Sequence, residues 1–175
     1  MTRILGISGS LRAASLNSLL LRAAARVAPA GIDVEIYSGV GALPLFNADL
    51  DATAVPAVAA LRSALNEADA VLIASPEYAH GVSGVMKNAL DWMVANETFV
   101  GKPVALLNAS PRATLAQAAL RETLVTMSAR IVEAGCLAVP LLGGGFDLAS
   151  LSAHPAIAGS LRAALGALAA AAVLR

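Results

Sequence analysis

Residues 6–17 read GISGSLRAASLN, and the architecture of the chain follows from how this stretch is read. It continues a short apolar run, Ile4 Leu5 Gly6 Ile7, and leads into residues 16–28, where Leu16, Leu19, Leu20, Ala23 and Val27 recur at helical spacing. A strand that bends through small hydroxylic residues into a helix turns several backbone N–H groups toward one point. The helix dipole adds positive potential there, which suits a phosphate. Ser8, Ser10 and Ser15 add hydroxyl donors, Asn17 an amide, and Arg12 a guanidinium that matches phosphate oxygens two at a time. The same residues also satisfy a plainer reading, with Ser15 as an N-cap and Arg12 as a solvated loop residue. The spacing is neither G-x-x-x-x-G-K-[ST] nor G-x-G-x-x-G, so the pattern excludes both a nucleoside-triphosphate loop and a dinucleotide fingerprint. A monophosphate cradle remains.

Outward from this bend, apolar strands and amphipathic helices alternate. Residues 3–7 form the first strand, Pro29 to Gly31 stop the first helix, and residues 33–37 alternate as an edge strand with Val34 and Ile36 inward. A long connection over residues 38–53 is too apolar for disorder, and connections of that length in compact domains are usually functional. A helix over 55–68 starts near Pro56. Ala70–Ala74 is a continuous apolar run, as expected of a central parallel strand covered on both faces. Residues 75–83 form a loop and 84–95 a helix. Residues 103–107 form a fourth strand and 115–134 a long helix ended by Gly135. Residues 136–141 form a fifth strand, 143–145 a turn and 157–174 a closing helix, with His154 at its start.

Five strands joined by helices predict an α/β fold: one domain over residues 1–175, a doubly wound parallel sheet of order 2-1-3-4-5, helices on both faces. In such sheets the site lies beyond the carboxyl ends of the strands, at the switch point between strands one and three. The loops after strands one, three and four then face one ligand.

Composition narrows the function classes. Hydrophobic residues make up 58% and charged residues 14%, with twelve basic and twelve acidic side chains and a formal net charge of zero. The bases are scattered, which excludes the basic stripe of a nucleic-acid-binding surface. The longest apolar stretch, residues 163–174 between Arg162 and Arg175, is too short to span a bilayer, so no membrane partner is expected. A lone cysteine, Cys136, excludes an internal disulfide and a cysteine-based metal cluster. No metal site is expected. The start runs straight into the first strand without a signal peptide, and the expected location is the cytoplasm. The excess of Ala and Leu fits either an apolar surface given to a partner subunit or a coding bias toward alanine with no partner behind it.

The loop after strand three carries the second motif, Ser75 Pro76 Glu77 Tyr78 Ala79 His80 Gly81 Val82 Ser83 Gly84. Pro76 and the glycines suggest an open turn, with the amides of residues 77–79 free to bond a planar heterocycle and Tyr78 offering an aromatic face. With these residues in view, the chain resembles the NADPH-dependent FMN reductase family, a flavodoxin-like group that includes quinone, azo-dye and chromate reductases. The resemblance rests on Gly9 Ser10 Leu11 Arg12 with Ser15 and Asn17. It rests equally on Pro76 Glu77 Tyr78 followed by Gly84, Lys87 Asn88 Ala89 and Asp91 Trp92. It is good from residue 3 to about Trp92 and rests on element order thereafter.

The resemblance implies FMN and NADPH or NADH as cofactors, with Ser10, Arg12, Ser15, Leu16 and Asn17 at the FMN phosphate. It implies Pro76, Glu77, Tyr78 and Ala79 along the isoalloxazine and Ser110 in a third flavin loop. It also implies a homodimer or homotetramer, in which the helix carrying Lys87, Asn88, Asp91 and Trp92 packs at an interface and a neighbour's loop around residues 45–49 completes the site. From the residues alone, Trp92 reads as a core anchor and Lys87 with Asp91 as an i,i+4 pair. Three departures stand out: Ala79 where the family usually has Asn, Ser83 where it commonly has Pro, and Ser110 Pro111 Arg112 Ala113 Thr114 where it has a glycine-rich loop. Arg112 could there place its charge near N1 and O2 of the ring.

The expected activity is FMN-dependent transfer of reducing equivalents from NAD(P)H to a small-molecule acceptor such as a flavin, a quinone or an azo compound. Hydride transfer needs stacked rings and a suitable field more than an acid and a base. That agrees with a chain lacking a triad or paired carboxylates in one loop, and no catalytic side chain is expected. The alternative is a flavodoxin-type electron carrier without NAD(P)H turnover, but such carriers tend to be acidic. A receiver-type module with the same sheet needs carboxylates at the end of strand one, and residues 4–8 supply none.

Overall fold

The computed structural model describes residues 1–94 and 97–174. Its main sheet is parallel throughout, with β1 (Thr2–Ser8) between β2 (Ile32–Tyr37) and β3 (Ala70–Ala74), and with β6 (Pro103–Asn108) beyond β3. The predicted order holds, and each boundary moves by a residue or two except where noted below.

Side chains alternate across this sheet and build two cores. Ile4, Ala70, Leu72, Ala74, Ala105 and Leu107 meet α1 (Leu16–Arg26), α5 (Leu148–Ala153) and α6 (Pro155–Val173) on one face. On the other face Leu5, Ile7, Val71, Ile73, Val104 and Leu106 meet α2 (Pro56–Glu67), α3 (Gly84–Met93) and α4 (Thr114–Thr126). All five residues of β3 are buried, which explains its continuous apolar sequence. Each buried Leu or Ile contributes about 1.5–3 kcal/mol relative to exposure, so the sheet holds its strand ends, and the loops they carry, in fixed positions.

Four local results differ from expectation. The fourth helix ends at Thr126 rather than at residue 134. Ser128 takes up the left-handed conformation (φ 59°), and Ser128 N–H and Ala129 N–H donate to the Val125 and Leu124 carbonyls. This is the C-terminal arrangement that glycine usually supplies, so a serine gave no stop signal. The chain therefore reaches the sheet edge early. The fifth position is split between β7 (Arg130–Ile131) and β8 (Leu137–Ala138), both paired with β6 and separated by a 3-10 turn at Glu133–Gly135. Inside this interruption Leu106 N–H meets Cys136 Sγ at 3.4 Å.

The loop after β3 is a tight hairpin rather than an open turn. β4 (Glu77–Tyr78) pairs antiparallel with β5 (Gly81–Val82), and Ala79 and His80 both have positive φ (48° and 61°). Finally, α5 was not expected; Asp147 and Ser150 form its reciprocal capping box. His154 does cap α6, as expected. Taken over its full 19 residues α6 is long and apolar enough to cross a membrane, unlike residues 163–174 alone. Its Leu161, Leu165 and Leu168 nevertheless pack into the first core. The expected end of the third helix at residue 95 and the flanking Arg175 lie outside the described residues.

Candidate functional site

The loops after β1, β3 and β6 enclose a cleft of about 220 Å³ at the carboxyl ends of the strands. Leu16 and Asn17 line it from the first loop, Ser75, Pro76 and Glu77 from the second, and Asn108, Ser110 and Arg112 from the third. Two larger hollows, of about 410 and 540 Å³, lie elsewhere. In the first, Arg3 pairs with Glu67 at 3.5 Å. In the second, Lys102 donates to the Leu65 and Ala68 carbonyls and Arg130 to the Ala171 carbonyl. Their cations serve the ends of helices, so volume alone does not identify the site.

The first loop is built by its own hydroxyls. Ser8 Oγ lies 2.8 Å from Ser18 Oγ and accepts from Ser10 N–H at 3.3 Å. Ser15 Oγ caps α1 by accepting from Ser18 N–H at 3.2 Å, and Ser15 N–H donates to the Arg12 carbonyl. Ser8 and Ser15 Oγ thus brace the loop from inside, and Ser15 is the N-cap that the plainer reading expected. Ser10 Oγ accepts from Arg12 N–H at 3.4 Å. Arg12 itself is exposed, and its guanidinium makes no hydrogen bond or ion pair among the described residues. At the helix end the N–H groups of Leu16 and Asn17 precede the first intrahelical donors. Asn17 is 9% exposed, and its Oδ1 has no hydrogen-bond partner. A buried unsatisfied amide oxygen costs about 1–3 kcal/mol. Lining a cleft, it is the kind of atom that a bound hydroxyl or N–H group would satisfy.

The second loop is locked onto the first. Ser83 Oγ donates to the Gly9 carbonyl at 2.7 Å, accepts from Met86 N–H as the cap of α3, and lies 3.3 Å from Ser75 Oγ. A Cβ at Gly9 would meet Ser75 Oγ at 2.3 Å, so the two loops touch as closely as glycine permits. Pro76 and Glu77 face the cleft, whereas Tyr78, Ala79 and His80 stand out on the exposed hairpin; Tyr78 is 52% exposed and lies outside the cleft lining. Glu77 points its carboxylate at the protein: Oε2 accepts from Ala116 N–H at 2.9 Å and Oε1 meets His80 Nδ1 at 3.2 Å. The Ala116 N–H foremost, with help from His80, holds this carboxyl below the usual range against the opposing effect of desolvation.

Asn108, which sequence reasoning missed, organises the third loop. Its Oδ1 accepts from Ser110 N–H at 2.9 Å and its Nδ2 donates to the Ala113 carbonyl at 3.3 Å. The signal was available, since an Asn at the end of a strand before a Ser-Pro turn is well placed for such bonds. Ser110 lines the cleft, and its Oγ accepts from Arg112 N–H.

The long connection is ordered by α3. Asn88 Oδ1 accepts from Phe46 N–H at 2.8 Å, and Asn88 Nδ2 and Trp92 Nε1 both donate to the Pro44 carbonyl. Phe46 packs edge-on against Trp92 with centroids 5.1 Å apart. Trp92 is a core anchor, and Lys87 pairs with Asp91.

The comparisons agree with this geometry. A family model described as NADPH-dependent FMN reductase matches residues 2–142. An NAD(P)H-dependent FMN reductase of Pseudomonas aeruginosa is 43% identical over 129 residues, covering 70% of this chain and 69% of the relative. A quinone reductase of Escherichia coli is 33% identical over 138 residues, 75% of this chain and 73% of that one. Among solved structures, a flavoenzyme NAD(P)H:(acceptor) oxidoreductase from Paracoccus denitrificans superposes with a TM-score of 0.86 at 27% identity, covering 99% of this chain and 98% of that one. With the sheet order, the three-loop cleft and a match spanning most of the sequence in agreement, the chain belongs to the NADPH-dependent FMN reductase family.

Proposed function

We propose that this chain is an FMN-dependent NAD(P)H oxidoreductase, passing reducing equivalents to a small-molecule acceptor of the flavin, quinone or azo class. The observation that carries the reading is the cleft at the ends of β1, β3 and β6, lined by the buried, unpartnered Asn17 Oδ1 beside the free N–H groups at the start of α1. An orphaned amide at a helix N-terminus fits a group with an anionic end and a hydroxylated chain.

In this reading Arg12, Ser10 and the N–H groups of Leu16 and Asn17 hold the FMN phosphate, and Ser15 fixes the helix end that presents them. Asn17 meets the cofactor's chain inside the cleft. Pro76, Tyr78 and Ala79 offer backbone along the ring, with the Glu77 backbone beside them, and Ser110 bonds from the opposite wall. Arg112 at the rim sets a positive charge where reduction builds up electron density. Bound FMN supplies two-electron chemistry: hydride taken from the nicotinamide and passed on, so that a quinone, for example, leaves as a hydroquinone after taking one proton from water. The chain's residues bind, orient and exclude water, and none needs to act as acid or base.

The reductase names of the relatives and the zero net charge favour turnover over one-electron carriage between proteins. A homodimer or homotetramer is part of the proposal. Leu11, Leu45, Phe46 and Leu50 are exposed at the first loop and the long connection, and a second copy would cover them. One cytoplasmic domain over residues 1–175 completes it.

The test is direct: purified protein should be yellow, or turn yellow with FMN, and oxidise NADPH with a quinone. A colourless protein that takes up no FMN and leaves NADPH untouched would sink the proposal.

A further inference from the structure

We infer that Glu77 is a positioning residue whose side chain ties the hairpin after β3 to the start of α4 and so sets the width of the cleft. This rests on the reading of the cleft as the FMN site, but the contact itself is independent of any ligand. The sequence offered the Glu77 backbone to the cofactor's ring and gave its carboxylate no role; both carboxylate oxygens are engaged by the protein.

The two walls are each stiff. On one side the hairpin closes through Ala79 and His80, both with positive φ, and Glu77 and Tyr78 pair with Val82 and Gly81. On the other, Asn108 braces the turn at Ser110 and Ala113. Glu77 and Ala116 are 39 positions apart, and their loops leave the paired strands β3 and β6, which fix the strand ends but not the loop tips. α4 packs on the hairpin, and Glu77 adds a direct side-chain bond between the two. Oε2 accepts from the N–H of Ala116, the third residue of α4, at 2.9 Å, and Ala113 ahead of that helix provides no side-chain cap. Oε1 lies 3.2 Å from His80 Nδ1, and an ionised carboxylate only accepts, so Nδ1 carries the proton and Nε2 is left outward. The Glu77 side chain is 13% exposed, against 81% for His80, which places the carboxylate between the walls and the imidazole over it. A charge that would otherwise disturb an electron-accepting ring is thereby spent on a helix N-terminus, where it is favourable.

The test compares Glu77→Ala, Glu77→Asp and Glu77→Gln by amide hydrogen exchange in the flavin-free protein and by FMN titration. Gln keeps an oxygen for Ala116 and offers its N–H to His80 Nδ1 once the exposed imidazole moves its proton to Nε2, whereas Asp keeps the charge but is one methylene short. The expected result is that Ala and Asp speed exchange about tenfold or more, both at Ala116 and in the hairpin. They should raise the FMN Kd by a similar factor, while Gln stays within about threefold of wild type, tenfold being the loss of one modest hydrogen bond. If the Ala variant does not fold, the contrast between Asp and Gln carries the test. Weaker FMN binding with unchanged exchange would mean direct contact with the cofactor and overturn the inference. Faster exchange confined to the first turn of α4, with FMN affinity intact, would reduce Glu77 to a helix cap and overturn it too. Wild-type protein that takes up no FMN would remove the cofactor reading, whereas uncoupled exchange in the flavin-free variants speaks against the clamp alone.

Discussion

Replacing Gly9 by Ala tests how closely the loops after β1 and β3 must approach. The added Cβ would stand 2.3 Å from Ser75 Oγ, 2.8 Å from Ser75 Cβ and 2.9 Å from Ser83 Oγ. Both serines are 2% exposed, and neither can swing into solvent. Carbon contacts are comfortable near 3.5–4.0 Å, so the loops must part by about 1 Å. Overpacking of that kind costs about 1–3 kcal/mol, and losing the 2.7 Å bond from Ser83 Oγ to the Gly9 carbonyl adds about 1 kcal/mol. The expected total is about 2–4 kcal/mol, or a fall in Tm of roughly 5–15 °C at this chain length. FMN affinity should drop about tenfold or more, since the cradle and the ring-side loop no longer share one frame. Urea titration and FMN titration read the two effects separately. A cycle with Ser75→Gly, which removes the two nearest atoms, should show favourable coupling of about 1–2 kcal/mol. A Gly9→Ala protein with wild-type midpoint and wild-type FMN affinity would refute the packing argument.

Further outcomes follow from single positions. Ser128→Gly should stabilise the fold by about 0.5–1 kcal/mol in urea titration, because the left-handed conformation that ends α4 carries no penalty for glycine. Ala79→Asn should do the same for the hairpin turn, read as slower exchange of its amides, since Asn tolerates the left-handed region better than Ala. Arg12→Ala should weaken FMN binding by about 1.5–3 kcal/mol while moving the unfolding midpoint by no more than about 0.5 kcal/mol equivalent, as its side chain is exposed and makes no hydrogen bond or ion pair among the described residues. Glu77, Glu133, Asp51 and Asp147 have carboxyls held below their ordinary range, chiefly by hydrogen bonds from Ala116, Arg121, Thr53 and Ser150 respectively. Folded values below unfolded ones mean stability that is present above the ordinary carboxylate range and lost on acidification. The urea midpoint should therefore fall from about pH 4.5 downward, and less steeply in Glu77→Gln; a flat profile would contradict these bonds.

The sheet was legible because its signals are local and redundant. Ala70–Ala74 is apolar without interruption, and it proved buried on both faces. The bend at residues 6–17 announced a strand, a capped helix start and a switch point together, and Ser15 does cap α1. The end of α4 was illegible for an equally local reason. Ser128 supplies a conformation normally marked by Gly, and residues 129–134 contain no Gly or Pro to mark that the helix has stopped. Nothing in those residues announces that Arg130 and Ile131 pair with Pro103 and Val104, because that pairing is decided by a strand more than 25 positions away.

In the site the division is between residue type and partner. Sequence reading located the three loops and read their hydroxyls as ligand donors, but it did not reveal how many of the hydroxyls also bond within and between the loops. Ser83 illustrates why. A proline there would shape the turn by its own ring; the serine cannot, and instead contributes a local cap to Met86, contact with Ser75 and a bond to Gly9, the last across a chain distance that a single sequence does not reveal. Ala79 repeats the pattern, since an alanine with φ of 48° is a poor turn residue, and the turn survives because the Glu77 carboxylate and the Ser83 hydroxyl anchor its two ends. Where local turn chemistry is weak, tertiary bonds have replaced it. Substitutions at those tertiary anchors should therefore cost this chain more than they would cost one with an asparagine and a proline at positions 79 and 83.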